Sequence, residues 1–138
     1  MVGQYRLEFT SVHDYSRSVD SVEIPIVVRS GAKLVDFVAS IDTGASFCVF
    51  GREIAENLGL DLTSGVRKRF RTANSAFEAY GHEVEITSCG VATHSTVYFF
   101  ADPTITTNVP GRTGWLDRVR IALVHHDNKI YLAPYDGV

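Results

Sequence analysis

VASIDTGASFCVF, residues 38–50, places a single acidic residue between two apolar runs. The first run leads into Asp42, and Gly44 allows a tight turn before the second run begins. Burying a carboxylate within a strand-like apolar segment costs several kcal/mol unless a partner compensates it. We therefore expect Asp42 to have a partner, a metal ion or a chemical role.

The composition is that of a single globular domain spanning residues 1–138. The chain has 13 Lys and Arg against 16 Asp and Glu, giving a formal net charge of -3. This balance lacks the overall positive charge typical of nucleic-acid-binding domains. We expect no nucleic-acid partner.

The beginning of the chain, MVGQYRLEFT, lacks a basic region followed by an apolar stretch, so it does not resemble a signal peptide. No apolar run approaches the ~20 residues that span a bilayer. These features predict a soluble, cytoplasmic protein without a membrane partner. Cys48 and Cys89 fit neither a disulfide framework nor a zinc site and are interpreted as buried apolar residues.

Strand patterns dominate the chain. SVEIPIVVRS and AKLVDFVASI are β-branched runs separated by Ser30-Gly31, which predicts a hairpin whose second arm ends at Asp42. GREIAENLGL then has apolar residues at helical spacing and stops at Gly59, which predicts a short helix.

The remaining elements continue this pattern. The sequence predicts two extended arms around Asn74-Ser75, a strand over VATHSTVYFFA and a last hairpin that turns at Asp127-Asn128, and TGWLDRVR is compatible with a single helical turn. Many short strands with one or two short helices predict an all-β fold, a small closed and mostly antiparallel β-barrel.

Three features occur in a recognisable order: the DTGAS turn, the hairpin around Asn74-Ser75, and NVPGRTGWLDRVRI. Together they resemble the retropepsin-like aspartic proteases, which are of the retroviral, single-domain type. The resemblance covers residues 22–134 as a matched core. Residues 1–21 are left as an N-terminal extension, within which QYRLEF is either an added strand or a separate arm.

The resemblance implies an aspartic endopeptidase that cleaves peptide or protein substrates and needs no cofactor or metal. One chain then provides half a site, and Asp42 of a second copy is the missing partner in a homodimer. Two carboxylates ~4 Å apart repel by about 4 kcal/mol at an effective dielectric constant of 20. The pair would therefore share one proton and activate a water molecule.

The same resemblance assigns roles to the neighbours of Asp42. Thr43 would join a hydrogen-bond network across the two-fold axis, Gly44 would let the backbone approach the carboxylates, and Ala45 would line the cleft floor. The tip of the hairpin would act as a flap that closes over substrate, with the residues Ala73, Asn74 and Ser75.

The VPG segment takes the place of the family's loop behind the aspartate, with Val109, Gly111 and Arg112 as its members. Pro110 departs from the family pattern, which has an aliphatic residue at this position. Because proline lacks a backbone donor, an altered loop is expected here.

The sequence is also compatible with other interpretations. Asp42-Thr43-Gly44 alone is compatible with an ordinary turn, and the fold is compatible with a catalytically silent module for peptide binding or dimerisation. A phosphorylated-aspartate protein is disfavoured because no glycine-rich phosphate loop or magnesium ligand set is seen.

The basic segment RKRFR, residues 67–71, is best explained as a solvated hairpin face. Alternation along a strand puts Arg67, Arg69 and Arg71 on one face and Lys68 with Phe70 on the other. These arginines could still recognise acidic side chains of a substrate. His125-His126-Asp127 is interpreted as a turn, His82 and His94 as strand-surface residues, and Trp115 as packing.

Overall fold

The structure of the protein is a computed structural model that describes residues 3–136. Strands dominate this part of the chain, and the helices are short. The strands are β1 (Ser11–Asp14), β2 (Glu23–Ser30), β3 (Lys33–Ser40), β4 (Val49–Phe50), β5 (Val66–Arg71), β6 (Ala76–Ser88), β7 (Val91–Phe100), β8 (Val119–Val124) and β9 (Lys129–Pro134). The helical segments are α1 (Arg52–Asn57) and 3₁₀ turns at Leu62–Ser64, Leu116–Arg118 and His125–Asp127. The fold is therefore all-β, as predicted.

The larger sheet has the strand order β3-β2-β6-β7-β4, and β5 pairs with β6 outside this path. The β2–β3 hairpin confirms the first predicted turn, in which Gly31 adopts a φ of 60° that favours glycine. In the larger sheet all strand pairs are antiparallel except the pair of β4 with β7, which is parallel. The predicted short helix after the DTG turn is α1.

The smaller sheet has the order β1-β9-β8. Its first strand comes from the N-terminal extension, but it is Ser11–Asp14 and not QYRLEF. Ser11 pairs with Leu132, so extending this register would set Phe9 opposite Pro134. Because proline has no N–H to donate, the hydrogen-bond ladder between β1 and β9 does not extend to this position.

The expected closed barrel is wrong for the described residues, which form two open sheets. Closure requires a continuous ladder between the end strands of one sheet, here β3 and β4. β4 is only two residues long, and Val109 bridges Val49 on it. A strand this short offers no ladder that could reach β3.

The core lies between the sheets and under α1, and its largest fully buried side chains include Trp115, Phe50 and Phe99. Trp115 is thus a packing residue, as predicted. Cys48 is fully buried and Cys89 partly buried. Within residues 3–136, no helix is both long and apolar enough to cross a membrane.

The histidines divide between surface and interior. His94 is exposed on β7 and His125 and His126 lie in an exposed 3₁₀ turn, as expected. His82 differs, because it is partly buried on β6 and its Nε2 lies 2.9 Å from the Leu62 carbonyl oxygen. Its ring ties the hairpin to the 3₁₀ turn after α1.

Candidate functional site

Asp42 lies in a tight turn two residues after β3 ends. The Gly44 N–H donates to Asp42 Oδ1 at 2.9 Å, and the Ala45 N–H donates to the Asp42 carbonyl at 3.2 Å. A side chain that captures its own backbone in this way competes with the strand ladder and ends it. Asp42, Thr43 and Gly44 are exposed in the single chain. The carboxylate therefore lies just beyond the end of β3 and is open to solvent in the single chain.

A second segment runs behind this turn and fixes its position. Val49 and Val109 exchange two backbone hydrogen bonds of 2.9 Å each. The Arg112 N–H donates to the Ala45 carbonyl, also at 2.9 Å. Pro110 lies buried between these bonded residues. The loop therefore accommodates Pro110, because the backbone hydrogen bonds of Val109 and Arg112 on either side of it are formed.

Gly111 lies in close contact with the backbone that follows the DTG turn. A Cβ at this position would lie 2.7 Å from the Ala45 carbonyl oxygen, which leaves no room for a side chain. The Gly111 N–H donates to the Cys48 Sγ at 3.4 Å. Burial raises the pKa of the Cys48 thiol to about 11, so this cysteine stays protonated and is no nucleophile at neutral pH.

The β5–β6 hairpin reaches out to an exposed tip. The tip is closed by Thr72, whose N–H donates to the Ser75 carbonyl at 2.8 Å and whose Oγ1 accepts from the Ser75 N–H at 3.1 Å. Between the hairpin and the DTG turn lies an open groove of about 380 Å³. Its lining residues are Asp42, Gly44, Ala45, Ser46, Phe47, Val49, Phe70, Arg71, Thr72, Phe77, Phe100 and Val109.

This groove brings together only part of the predicted set. Asp42, Gly44, Ala45 and Val109 line it, whereas the tip residues stand outside it, exposed on the hairpin. Gly111 and Arg112 support the floor from behind through the backbone bonds to the DTG segment.

Aromatic residues form the wall that sequence reasoning missed. Phe70 stacks on Phe77 across the hairpin with ring centres 5.3 Å apart, and it meets Phe47 edge-on at 5.9 Å. Phe77 in turn contacts Phe100 at 5.0 Å. The hairpin register, which pairs Phe70 with Phe77, was the available signal.

A second cavity of about 420 Å³ opens on the other side of Asp42. Apart from Asp42 and Thr43 its walls are aliphatic: Val22, Ile41, Leu116, Ile121, Leu123 and Ile130. Asp42 therefore stands between an aromatic groove and an apolar cavity. Within residues 3–136, no group of three or more His, Cys, Asp or Glu is placed to hold a metal ion.

The chain was compared with sequence models of known protein families. The sequence model of a family described as aspartyl protease matches residues 24–104. The chain belongs to the aspartyl protease family. The matched range contains the DTG turn, α1 and the β5–β6 hairpin of this family member.

Among solved structures, this aspartyl protease family member is similar to a retropepsin-like aspartic protease from Rickettsia conorii. The two share 19% sequence identity with a TM-score of 0.61, over 88% of this chain and 96% of the rickettsial one. At this identity the match establishes a retropepsin-like fold. A comparison with curated proteins gives no match.

Proposed function

We propose that this protein is an aspartic endopeptidase whose active site forms when Asp42 residues of two copies meet. The observation that carries the proposal is the position of Asp42 in a chain of this family. Its carboxylate is exposed between a groove and an apolar cavity and held by the Gly44 N–H. A carboxylate so placed is accessible to a substrate from one side and to a second subunit from the other.

The paired carboxylates share one proton because two adjacent negative charges repel. The ionised Asp42 takes a proton from a water molecule, and the resulting hydroxide attacks the peptide carbonyl carbon. The protonated Asp42 gives its proton to the carbonyl oxygen. The tetrahedral intermediate then collapses: the carbon–nitrogen bond breaks, the Asp42 that took the water proton gives it to the leaving amine, and a hydroxyl proton of the intermediate returns to the other Asp42, which restores the shared proton.

The second copy is supported by the apolar cavity beside Asp42. Ile121 and Leu123 of β8 line it, and Leu123 is 54% exposed. β8 is also an edge strand of the smaller sheet, so its outer side is open to pairing. A two-fold contact across this surface buries the aliphatic side chains and brings the two Asp42 turns together.

The supporting roles follow from these positions. Thr43 lines the same cavity as Leu123, which supports the proposal that its hydroxyl reaches across the two-fold axis. The Ala73–Ser75 tip is proposed to bend toward the groove over a bound peptide and exclude water. Val109 shapes the groove, and Gly111 and Arg112 hold its floor.

The proposal is tested with wild type and Asp42→Asn incubated with a diverse peptide library between pH 4 and 7. Both proteins are used at a concentration at which sedimentation shows a dimer. We expect the wild type to cleave and the variant, folded and dimeric, to lose at least about 10³-fold in activity. If neither protein cleaves any peptide although both are folded dimers, the result would instead favour the catalytically silent module for peptide binding or dimerisation.

A further inference from the structure

Positively charged side chains surround the aromatic groove. Arg71, the last residue of β5, is one of its lining residues together with Phe70, so the predicted placement of these two residues on opposite faces does not hold at the end of the strand. The Lys68 ammonium lies 4.5 Å from the centre of the Phe47 ring, a cation–π distance. Arg112 Nη2 donates to the Oγ of Ser46, another lining residue, at 3.2 Å. Arg71 therefore lines the groove, and Lys68 and Arg112 each contact one of its lining residues.

These charges are not neutralised locally. Lys68, Arg71 and Arg112 make no ion pair within residues 3–136, whereas the neighbouring Arg67 is paired with Glu78. The only carboxylate among the lining residues is Asp42. The groove is thus cationic on a chain whose formal net charge is -3. Unpaired cations around a cleft attract peptides that carry negative charge.

The groove between these charges is apolar. Its walls are the rings of Phe47, Phe70, Phe77 and Phe100. Aromatic walls in edge-on and stacked contact favour a large apolar side chain, and an aromatic ring above all, because it adds further ring contacts. The groove combines a pocket for such a side chain with a cationic rim.

We infer that the groove takes an extended peptide in which a large apolar side chain, preferably aromatic, is flanked by Asp or Glu. The inference rests on the proposed function insofar as the groove is taken as the peptide cleft. The apolar side chain packs against the surface that the phenylalanine rings present to the groove. The flanking carboxylates face Arg71 and the other two cations.

The test uses Asp42→Asn, so that binding is measured without cleavage. Three fluorescent peptides of equal length differ only at their centre: Glu-Phe-Glu, Lys-Phe-Lys and Glu-Ala-Glu. Anisotropy at pH 6.5 and low salt gives their dissociation constants. We expect Glu-Phe-Glu to bind about tenfold or more tightly than either of the others.

High salt and a charge variant separate the electrostatic contribution to peptide binding from the apolar one. In 1 M NaCl the Debye length is about 3 Å, so the preference for Glu over Lys falls toward unity while that for Phe over Ala persists. Adding Arg71→Gln weakens Glu-Phe-Glu about two- to fivefold. Arg29→Gln removes the same charge from an exposed side chain on β2, outside the groove, and leaves binding unchanged.

The two proposals fail in different ways. Equal binding of the Glu and Lys peptides at low salt, or equal effects of the two arginine variants, overturns the inferred selectivity even if wild type cleaves peptides. Selective binding of Glu-Phe-Glu without cleavage by wild type at any pH from 4 to 7 upholds the selectivity and overturns the peptidase.

Discussion

Cys48 joins the two backbone segments that hold the Asp42 turn. It is fully buried, and its Sγ accepts a hydrogen bond from the Gly111 N–H. A protonated thiol suits this site, because a thiolate there would be removed from water. Burial accordingly raises its pKa from 9.0 to about 11. A residue that takes no part in the proposed chemistry thus carries a pH-dependent share of the stability.

We expect this thiol to make folding stability fall in alkaline solution. Between pH 9 and 11 the unfolded chain loses the thiol proton while the folded chain keeps it, so the free energy of unfolding decreases as pH rises. The contribution is fully present below pH 9 and amounts to about 3 kcal/mol at most. Denaturant titrations at several pH values from 8 to 11 measure it.

Cys48→Ala is the matched control, since it removes the titrating group from the same buried position. The two proteins differ in no other side chain, so the difference between the two slopes isolates Cys48. Identical slopes for wild type and Cys48→Ala would contradict the assignment.

The β5–β6 hairpin is fixed at its base and free at its tip. Near the tip, Phe70 packs on Phe77 and meets Tyr98 of β7 edge-on at 5.5 Å. The Ala73–Ser75 tip beyond is exposed. An element built in this way opens locally with a free energy well below that of global unfolding. Phe70 is the side chain that sets how far opening extends along the hairpin.

We expect Phe70→Ala to loosen the hairpin without unfolding the protein. Deleting a buried phenylalanine costs about 3–5 kcal/mol, and the partly buried Phe70 costs less, about 1–2 kcal/mol. Amide hydrogens in β5 then exchange about tenfold faster, as measured by mass spectrometry. Phe70→Leu, which keeps most of the apolar volume, changes exchange less. Equal acceleration in β2 and β3 would mean global destabilisation instead.

At the scale of the whole molecule, the smaller sheet has two unlike faces. Leu123, Ile130 and His13 lie on one face, because they are register partners across β8, β9 and β1. Val12, Tyr131 and Ala122 lie on the other. Only the first face includes residues of the cavity beside Asp42. Ile130 on this face is already buried in the chain's own core, so the proposed dimer uses the exposed part of the face around Leu123, at the β8 edge.

We expect Leu123→Glu to separate the copies and abolish activity. Leu123 is 54% exposed in the single chain, so the substitution leaves the monomer folded. A carboxylate buried at the subunit contact raises the dimer dissociation constant about 100-fold or more. Sedimentation measures the dissociation, and peptide cleavage on dilution falls more steeply than linearly.

Val12→Glu is the control on the opposite face, where Val12 is 51% exposed. It makes the same kind of substitution in the same sheet and leaves the dimer intact. If Val12→Glu dissociates the dimer and Leu123→Glu does not, the copies meet through the other face and the assembly is wrong.

The sequence by itself determined the local elements. The Ser30-Gly31 hairpin, α1, the long hairpin and the turn at Asp42 follow from residues close together in the chain. Glycine at a positive φ, apolar helical spacing and an aspartate that binds its own backbone act over a few residues. The family resemblance rested on the order of three such local segments: the DTGAS turn, the hairpin around Asn74-Ser75 and the NVPGRTGWLDRVRI segment.

Only the tertiary structure decided how these elements meet. The parallel pairing of β4 with β7, the start of β1 at Ser11 and the two open sheets depend on contacts between segments far apart in sequence. The exposure of Asp42 and the aromatic wall from Phe47 to Phe100 depend on them as well. A strand pattern fixes which face is apolar, but its pairing partner and register are set by the competition of all strands for hydrogen bonds and core packing.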